Sequence, residues 1–288
     1  MPSQYLVKNV LKEITAKLNP IIPRASREAH LLLMAHLECD ELWIITNQNT
    51  QIKGIDKLFE WVERRAKNEP FEYITKRVSF YSEEFYIAQG ALIPRPETEL
   101  LIDEVIKNVI NPHPEGTSSH SLTANAEMTF VEVGVGSGII SIMLAKHFPH
   151  AKIIAVDISQ DALEIAKINI AKFSLEDRIE LRLGSLLEPI SEHVDYLVSN
   201  PPYIANDANL ESNLSYEPQN ALFGGSVGDE IIRELLNEVL KRKINLFTCE
   251  IGYDQQDRIK DYLKKEEYKN LNFYKDLSDF DRGFTLRL

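Results

Sequence analysis

The sequence lacks what secreted, membrane-spanning and nucleic-acid-coating proteins carry in quantity. It has two cysteines, Cys39 and Cys249, in unrelated contexts, with no Cys-x-x-Cys pair and no Cys/His cluster. Neither a disulfide framework nor a bound metal is expected, and free thiols suit a reducing compartment. No apolar run approaches the ~20 residues needed to cross a bilayer. The opening Met-Pro-Ser-Gln-Tyr begins no basic-then-apolar signal, so a cytoplasmic location is expected. Positive charge is also scarce. The formal charge is −12; the first 75 residues balance ten basic against ten acidic side chains, so the whole acidic excess lies in the other 213. A duplex-gripping surface needs a basic footprint, and bulk charge shows none.

What is present is a chain of 288 residues, 44% hydrophobic and 26% charged, enough for a large domain and a small one. Residues 1–75 read as successive helices: Leu6, Val10, Leu11, Ile14 and Leu18 keep a three-to-four residue rhythm that ends before Pro20. Ala25, Ala29, Leu32, Leu33 and Leu37 repeat it, as do Ile55, Leu58, Phe59 and Val62. Aromatics flanking Ser82-Glu83-Glu84 predict a β-hairpin within 76–93, and an apolar helix follows Ile93-Pro94-Arg95-Pro96-Glu97-Thr98 through residue 110. Residues 111–127 read as a polar surface loop. Strands and helices then alternate: strand 128–133, a helix to 147, strand 152–157, helix 161–173, strands 179–183 and 194–199. Helix 229–241, strand 244–251, helix 254–265 and a terminal strand pair complete the series. Such alternation specifies an α/β domain, here 94–288, with a mainly parallel sheet covered on both faces.

Two motifs carry chemistry. Phe130-Val131-Glu132-Val133-Gly134-Val135-Gly136-Ser137-Gly138-Ile139 runs from a strand straight into a helix. Glycines permit close backbone approach to a ligand, the helix start offers N–H groups to an anion, and Asp157 at the end of the next strand is placed to bind ribose hydroxyls. The spacing is Gly-x-Gly-x-Gly with Ile139 where the dinucleotide fingerprint needs its third glycine. That form, with an acid two residues before the first glycine, resembles the first motif of class I S-adenosylmethionine-dependent methyltransferases. The resemblance implies a Rossmann-like sheet with an antiparallel C-terminal strand. It puts Glu132 near the amino end of the cofactor's methionine moiety and Asp157 on its ribose.

The second motif, Asn200-Pro201-Pro202-Tyr203, ends strand 194–199 and points at the same crevice. Asn200 brings a carbonyl acceptor, the prolines bring rigidity without donors, and Tyr203 brings an aromatic face. The niche suits a planar NH2 group, whose nitrogen lone pair is tied up by conjugation. Acceptors can orient that nitrogen and stabilise charge developing on it, so no dedicated histidine base is required.

Together with Leu92-Ile93-Pro94-Arg95-Pro96-Glu97-Thr98-Glu99, Ala155-Val156-Asp157, Tyr216-Glu217-Pro218 with Ala221-Leu222, and Asp281-Arg282, nearly the whole chain resembles the peptide chain release factor glutamine N5-methyltransferases. The resemblance implies methyl transfer from S-adenosylmethionine, with S-adenosylhomocysteine as product, to the glutamine of the Gly-Gly-Gln motif of class-1 release factors. It implies that the helical domain, 1–75, docks that partner. Gly134, Val135, Gly136, Ser137, Gly138, Asp157 and Asn200 then contact the cofactor, and Asn200, Pro201, Pro202 and Tyr203 receive the glutamine amide. Ser185 and Leu186 stand where the family often has an acid and an aromatic for the adenine, leaving Leu186 to cover the ring by apolar contact. Two alternatives remain: an adenine-N6 methyltransferase of DNA or RNA, which shares the Asn-Pro-Pro-Tyr motif, and a binding protein without turnover. Charge balance counts against the first and the intact motif against the second. Nothing in the sequence demands a dimer, and a monomer is expected.

Overall fold

The computed structural model describes residues 5–110 and 128–288; the loop expected at 111–127 lies outside the described residues. The chain divides into two compact units, one of Met1–Arg77 with Glu211–Tyr216, the other of Val78–Leu210 with Glu217–Leu288.

The first unit is helical, with α1 (Val7–Leu18), α2 (Ala25–Leu37), α3 (Glu41–Thr46), α4 (Ile55–Arg65) and α5 (Phe71–Thr75). Its core is the set of stripes expected from the apolar rhythm: Val10, Ile14 and Leu18 of α1, Ala29, Leu32 and Leu33 of α2, and Leu58 and Val62 of α4 are buried together. Helices α3 and α5 are additional, too short to show a stripe in the sequence. The Asp40 side chain caps α3 by accepting from Trp43 N at 2.7 Å. The distant segment Glu211–Tyr216 belongs to this unit through Tyr216, whose hydroxyl donates to the Lys67 carbonyl at 2.8 Å, and through Ser212, bonded to Asn68.

The second unit begins with a hairpin, β1 (Arg77–Phe80) and β2 (Glu83–Tyr86), and continues through α6 (Thr98–Ile110), β3 (Thr129–Val133), α7 (Ile139–His147), β4 (Lys152–Asp157), α8 (Gln160–Lys172), β5 (Ile179–Leu183) and β6 (Tyr196–Ser199). A short parallel pair, β7 (Ile204–Ala205) and β8 (Phe223–Gly225), precedes α9 (Glu230–Arg242), β9 (Leu246–Glu250), α10 (Gln256–Leu263), β10 (Asn270–Lys275) and β11 (Asp281–Arg287). Tyr81 and Ser82, at φ 52° and 60°, give the hairpin a type I′ turn, whose twist matches its strands. The hairpin is not a free linker. The buried Asn169 side chain exchanges bonds of 2.7 and 2.9 Å with the Tyr86 backbone and donates at 2.8 Å to the Ser137 carbonyl, so β2, α8 and the glycine turn are fastened at one amide.

Seven strands form the main sheet in the order β10-β11-β9-β6-β3-β4-β5, parallel from β9 to β5 and antiparallel at β9–β11 and β11–β10. Strands β6 and β9 are buried along their whole length, as a parallel sheet covered on both faces requires. Alternate residues separate the two cores. Phe130, Ile153 and Val198 pack towards α6, α7 and α8, while Val131, Ile154 and Leu197 pack towards α9 and α10. The chain leaves β3 towards β4 and β5, then returns to β6 on β3's other side. The carboxyl ends of β3 and β6 therefore open a crevice at the topological switch point.

Candidate active site

The crevice is built first from the turn that carries β3 into α7. Gly134, Gly136 and Gly138 lie at φ 80°, 52° and 83°, the left-handed region where a side chain costs energy. Two of them have a visible reason. A Cβ on Gly138 would sit 3.2 Å from the Ala166 Cβ, so α8 packs hard against it, whereas a Cβ on Gly136 would meet nothing within 4 Å and would stand in open space.

Four of the turn's amides have partners within the fold. Gly134 N and Val135 N donate to the Val156 carbonyl at 2.8 and 3.1 Å, and Gly138 N donates to Val135. Gly136 N donates to Asp157 Oδ2 at 2.9 Å. In the first turn of α7, Ser141 N donates to Glu132 Oε2 at 2.8 Å, and the Ser141 hydroxyl joins the same oxygen. At the helix start expected to offer amides to an anion, one of them, Ser141 N, is taken by this carboxyl on β3. Glu132 lies on the Phe130 face of β3, which aims it at α7.

Glu132 is fully buried, and its second oxygen, Oε1, has no partner among the described residues. Burial pushes its carboxyl up to about 8; the Ser141 bonds oppose the rise and the nearby Asp157 adds to it. Asp157 is also raised by burial, against amide bonds from Gly136, Ser159 and Ile158. Its Oδ1 accepts from Ser159 N at 2.9 Å, leaving lone pairs on both oxygens.

A cavity of about 290 Å³ joins these groups. Its lining comes from the turn, from Val156 to Ser159 beyond β4, from Gly184 to Leu186 beyond β5, and from Asn200 to Pro202 beyond β6. Segments 90–98 and 218–223 supply further walls with Ala162 of α8 and Ile231 of α9, and no Lys, Arg or His is among the described residues that line it. With the Asp157 and Glu132 carboxyls, the latter able to give up its proton to a bound cation, and with no base, the cavity favours a cation over a pyrophosphate. Leu186 faces it from a left-handed backbone at φ 48°, an uncommon state for a branched residue that marks a position fixed by its surroundings.

Of the residues picked from sequence, Glu132, Gly134, Val135, Gly136, Ser137, Asp157, Ser185, Leu186, Asn200, Pro201 and Pro202 line this one cavity. Gly138 and Tyr203 do not. Gly138 starts α7 behind the turn, and Tyr203 turns its hydroxyl to Glu250 Oε1 at 3.3 Å. Burial and the Glu250 charge push the Tyr203 phenol well up. The two motifs meet directly: a Cβ on Gly134 would lie 3.6 Å from the Asn200 carbonyl oxygen. The Asn200 side chain is held by Nδ2 donating to Thr98 Oγ1 at 3.1 Å.

Three residues missed as site residues prove structural to it. Thr98 donates to Glu250 Oε2 at 2.8 Å. Glu217, its side chain 1% exposed, accepts from Ile93 N at 3.0 Å and pairs with Arg95, so it latches the 90–98 wall to the 218–223 wall. Thr98 and Glu217 sit inside the Ile-Pro-Arg-Pro-Glu-Thr and Glu-Pro motifs; Glu250 had only the signal of an acid closing a buried strand.

Residues 9–75 match the PrmC N-terminal domain family and residues 119–223 the methyltransferase small domain family. The release factor glutamine methyltransferase of Koribacter versatilis is 35% identical over 283 residues, 95% of this chain and 94% of that protein. That of Dictyoglomus turgidum is 38% identical over 245 residues, 83% and 82% of the two chains. The bifunctional methyltransferase of Rickettsia typhi is 34% identical over 97% of this chain, which spans 57% of that longer protein's length. Among solved structures, the human METTL16 catalytic domain in complex with a 3′UTR hairpin aligns with a TM-score of 0.56 at 13% identity, over 80% of each chain. This last likeness speaks to the fold, a class I methyltransferase sheet. With a helical first domain, a methyltransferase second domain and 35% identity to the Koribacter protein over 94% of its length, the chain belongs to the release factor glutamine methyltransferase family.

Proposed function

We propose that this protein transfers a methyl group from S-adenosylmethionine to the side-chain amide nitrogen of the glutamine in the Gly-Gly-Gln motif of class-1 release factors. The observation that carries the reading is the convergence on one cation-favouring cavity of an unpartnered buried carboxyl oxygen and an Asn-Pro-Pro wall whose side-chain NH2 is bonded to Thr98.

The residues present fit the cofactor. Glu132 Oε1 is a buried acceptor in want of a donor, which an amino-acid ammonium supplies, and Asp157 retains lone pairs for ribose hydroxyls. Gly136 leaves room that a side chain would fill. Ser185 and Leu186 offer a hydroxyl and an apolar face to the adenine. When bound, S-adenosylmethionine supplies an electrophilic methyl on a sulfonium, a cation suited to a cavity without bases.

The chain's own residues then do the rest. Asn200 and the Pro201 carbonyl accept the amide N–H bonds and orient the nitrogen, and Pro202 adds stiffness without a competing donor. These acceptors stabilise positive charge as the nitrogen becomes tetrahedral. A proton on such a nitrogen is acidic enough to leave to water, so no side-chain base is needed. Tyr203 supports the wall from behind through Glu250. The helical unit docks the release factor, and the protein works as a cytoplasmic monomer.

The test is incubation of the protein with labelled S-adenosylmethionine and, separately, release factor, DNA and RNA. Label is expected on the Gly-Gly-Gln glutamine alone, and Asn200→Ala is expected to abolish it with the melting temperature retained. Label on nucleic acid but not on release factor overturns the reading.

A further inference from the structure

Behind the Asn200 wall a chain of polar side chains leads from Asn200 to Thr98 and Glu250, which the proposed reaction does not touch. Asn200 Nδ2 donates to Thr98 Oγ1 at 3.1 Å, Thr98 Oγ1 donates to Glu250 Oε2 at 2.8 Å, and the Tyr203 hydroxyl donates to Glu250 Oε1 at 3.3 Å. Thr98 and Glu250 are each 2% exposed. They come from the first turn of α6 and the last residue of β9, so two rigid elements define the chain.

The direction of these bonds follows from proton counting. A threonine hydroxyl has one proton. A carboxylate only accepts, so that proton is committed to Glu250, and Thr98 has only lone pairs to offer Asn200. The NH2 end of the Asn200 amide must answer them. Its carbonyl end is then left for the cavity that Asn200 lines.

We infer that Thr98 and Glu250 are positioning residues that fix the polarity of the Asn200 amide, so that the cavity selects a side chain donating an NH2 over one offering a carboxylate. The inference rests on the glutamine reading above and deepens it: it explains how glutamine is told from glutamate, which has nearly the same shape. A carboxylate at this wall would face a fixed acceptor. With the relay broken, the Asn200 amide is free to turn over and present its NH2 instead.

The relay has a built-in reversal. A protonated Glu250 can donate to Thr98, whose own proton then turns to Asn200 Oδ1 and sends the NH2 end into the cavity. Burial pushes the Glu250 carboxyl up to about 7; the Thr98 and Tyr203 bonds and the Arg282 charge oppose this, and Glu97 reinforces it. The other titratable groups around it, Cys249 and Tyr274, are both raised well above their ordinary range and are neutral near pH 7. Preference for the amide is therefore strongest well above pH 7, where Glu250 is ionised, and declines as the pH falls through about 7.

The experiment measures, by calorimetry, the affinity of the full-length protein for a release factor carrying Gly-Gly-Gln and for its Gly-Gly-Glu counterpart, with methyl transfer followed on the first. Thr98→Val is expected to reduce the preference for glutamine by roughly tenfold or more, the worth of one hydrogen bond turned from made to opposed. Thr98→Ser, which keeps the hydroxyl, is expected to restore it. Glu250→Gln is expected to shift the same ratio and to remove the pH step. A purely structural role would weaken both release factors together, so an unmoved glutamine-to-glutamate ratio in Thr98→Val overturns the inference. Should Thr98→Val fail to fold, an unmoved ratio and an unmoved pH step in Glu250→Gln overturn it equally. Wild-type protein that methylates no glutamine overturns the functional reading, and this inference with it. Wild-type transfer with unmoved ratios overturns the positioning role alone.

Discussion

Replacing Glu132 by Gln should make the ligand-free protein more stable and its stability less dependent on pH. The folded chain holds the Glu132 proton up to about pH 8 because the carboxyl is fully buried, whereas an unfolded chain releases it near the ordinary value of 4.5. Between these limits the folded state binds the extra proton, so stability falls as pH rises. A tenfold step in proton affinity is worth about 1.4 kcal/mol. The penalty therefore grows to about 3 kcal/mol at pH 7 and about 4 kcal/mol at pH 8. Gln cannot ionise, and its carbonyl can still accept from Ser141 N as Glu132 Oε2 does. Urea titrations of both proteins without ligand should give nearly equal stability at pH 4.5 and a gap of about 3 kcal/mol at pH 7 in favour of the variant. The gain has a functional cost: added S-adenosylmethionine should stabilise the variant less than the wild type, because the orphaned acceptor for its ammonium is gone. A gap that stays constant from pH 4.5 to 8 would refute the assignment, since it would mean that Glu132 does not titrate across that range.

Other outcomes follow from the same geometry. Asp157→Ala should weaken S-adenosylmethionine binding by roughly tenfold or more in calorimetry, the loss of charge-assisted bonds to the ribose; an unchanged dissociation constant rejects that role. Gly138→Ala should cost about 1–2 kcal/mol from its left-handed backbone alone. The 3.2 Å approach to Ala166 should add to that cost; a melting temperature equal to wild type would show that the turn relaxes freely.

The parallel sheet was legible because its signals are local. Strands such as Lys152–Asp157 and Leu246–Glu250 are largely apolar and mostly or wholly buried, and the helices between them, such as α9, keep an apolar stripe. The lining at Glu132, Asp157 and Asn200 was legible for a topological reason: each lies at or beside the carboxyl end of a parallel strand, and those ends converge. What escaped was short or non-local. Helix α3 spans six residues and α5 five, less than two turns, so neither has room for a periodic pattern. The membership of Glu211–Tyr216 in the helical unit depends on partners such as Lys67, 149 positions away. Thr98 and Glu250 are 152 positions apart and meet only because α6 starts where β9 ends. The pattern of glycines foretold the turn but said nothing of the Glu132 carboxyl that takes the Ser141 amide at the start of α7.

The latch at Glu217 joins two stretches of chain more than a hundred residues apart across one side of the cavity. Since the glycine bend opposite is already sewn to its neighbouring strand by its own amides, the crevice holds its contour before any visitor arrives. An incoming molecule therefore surrenders only its own freedom, with little demanded of the host. Such an arrangement trades adaptability for fidelity.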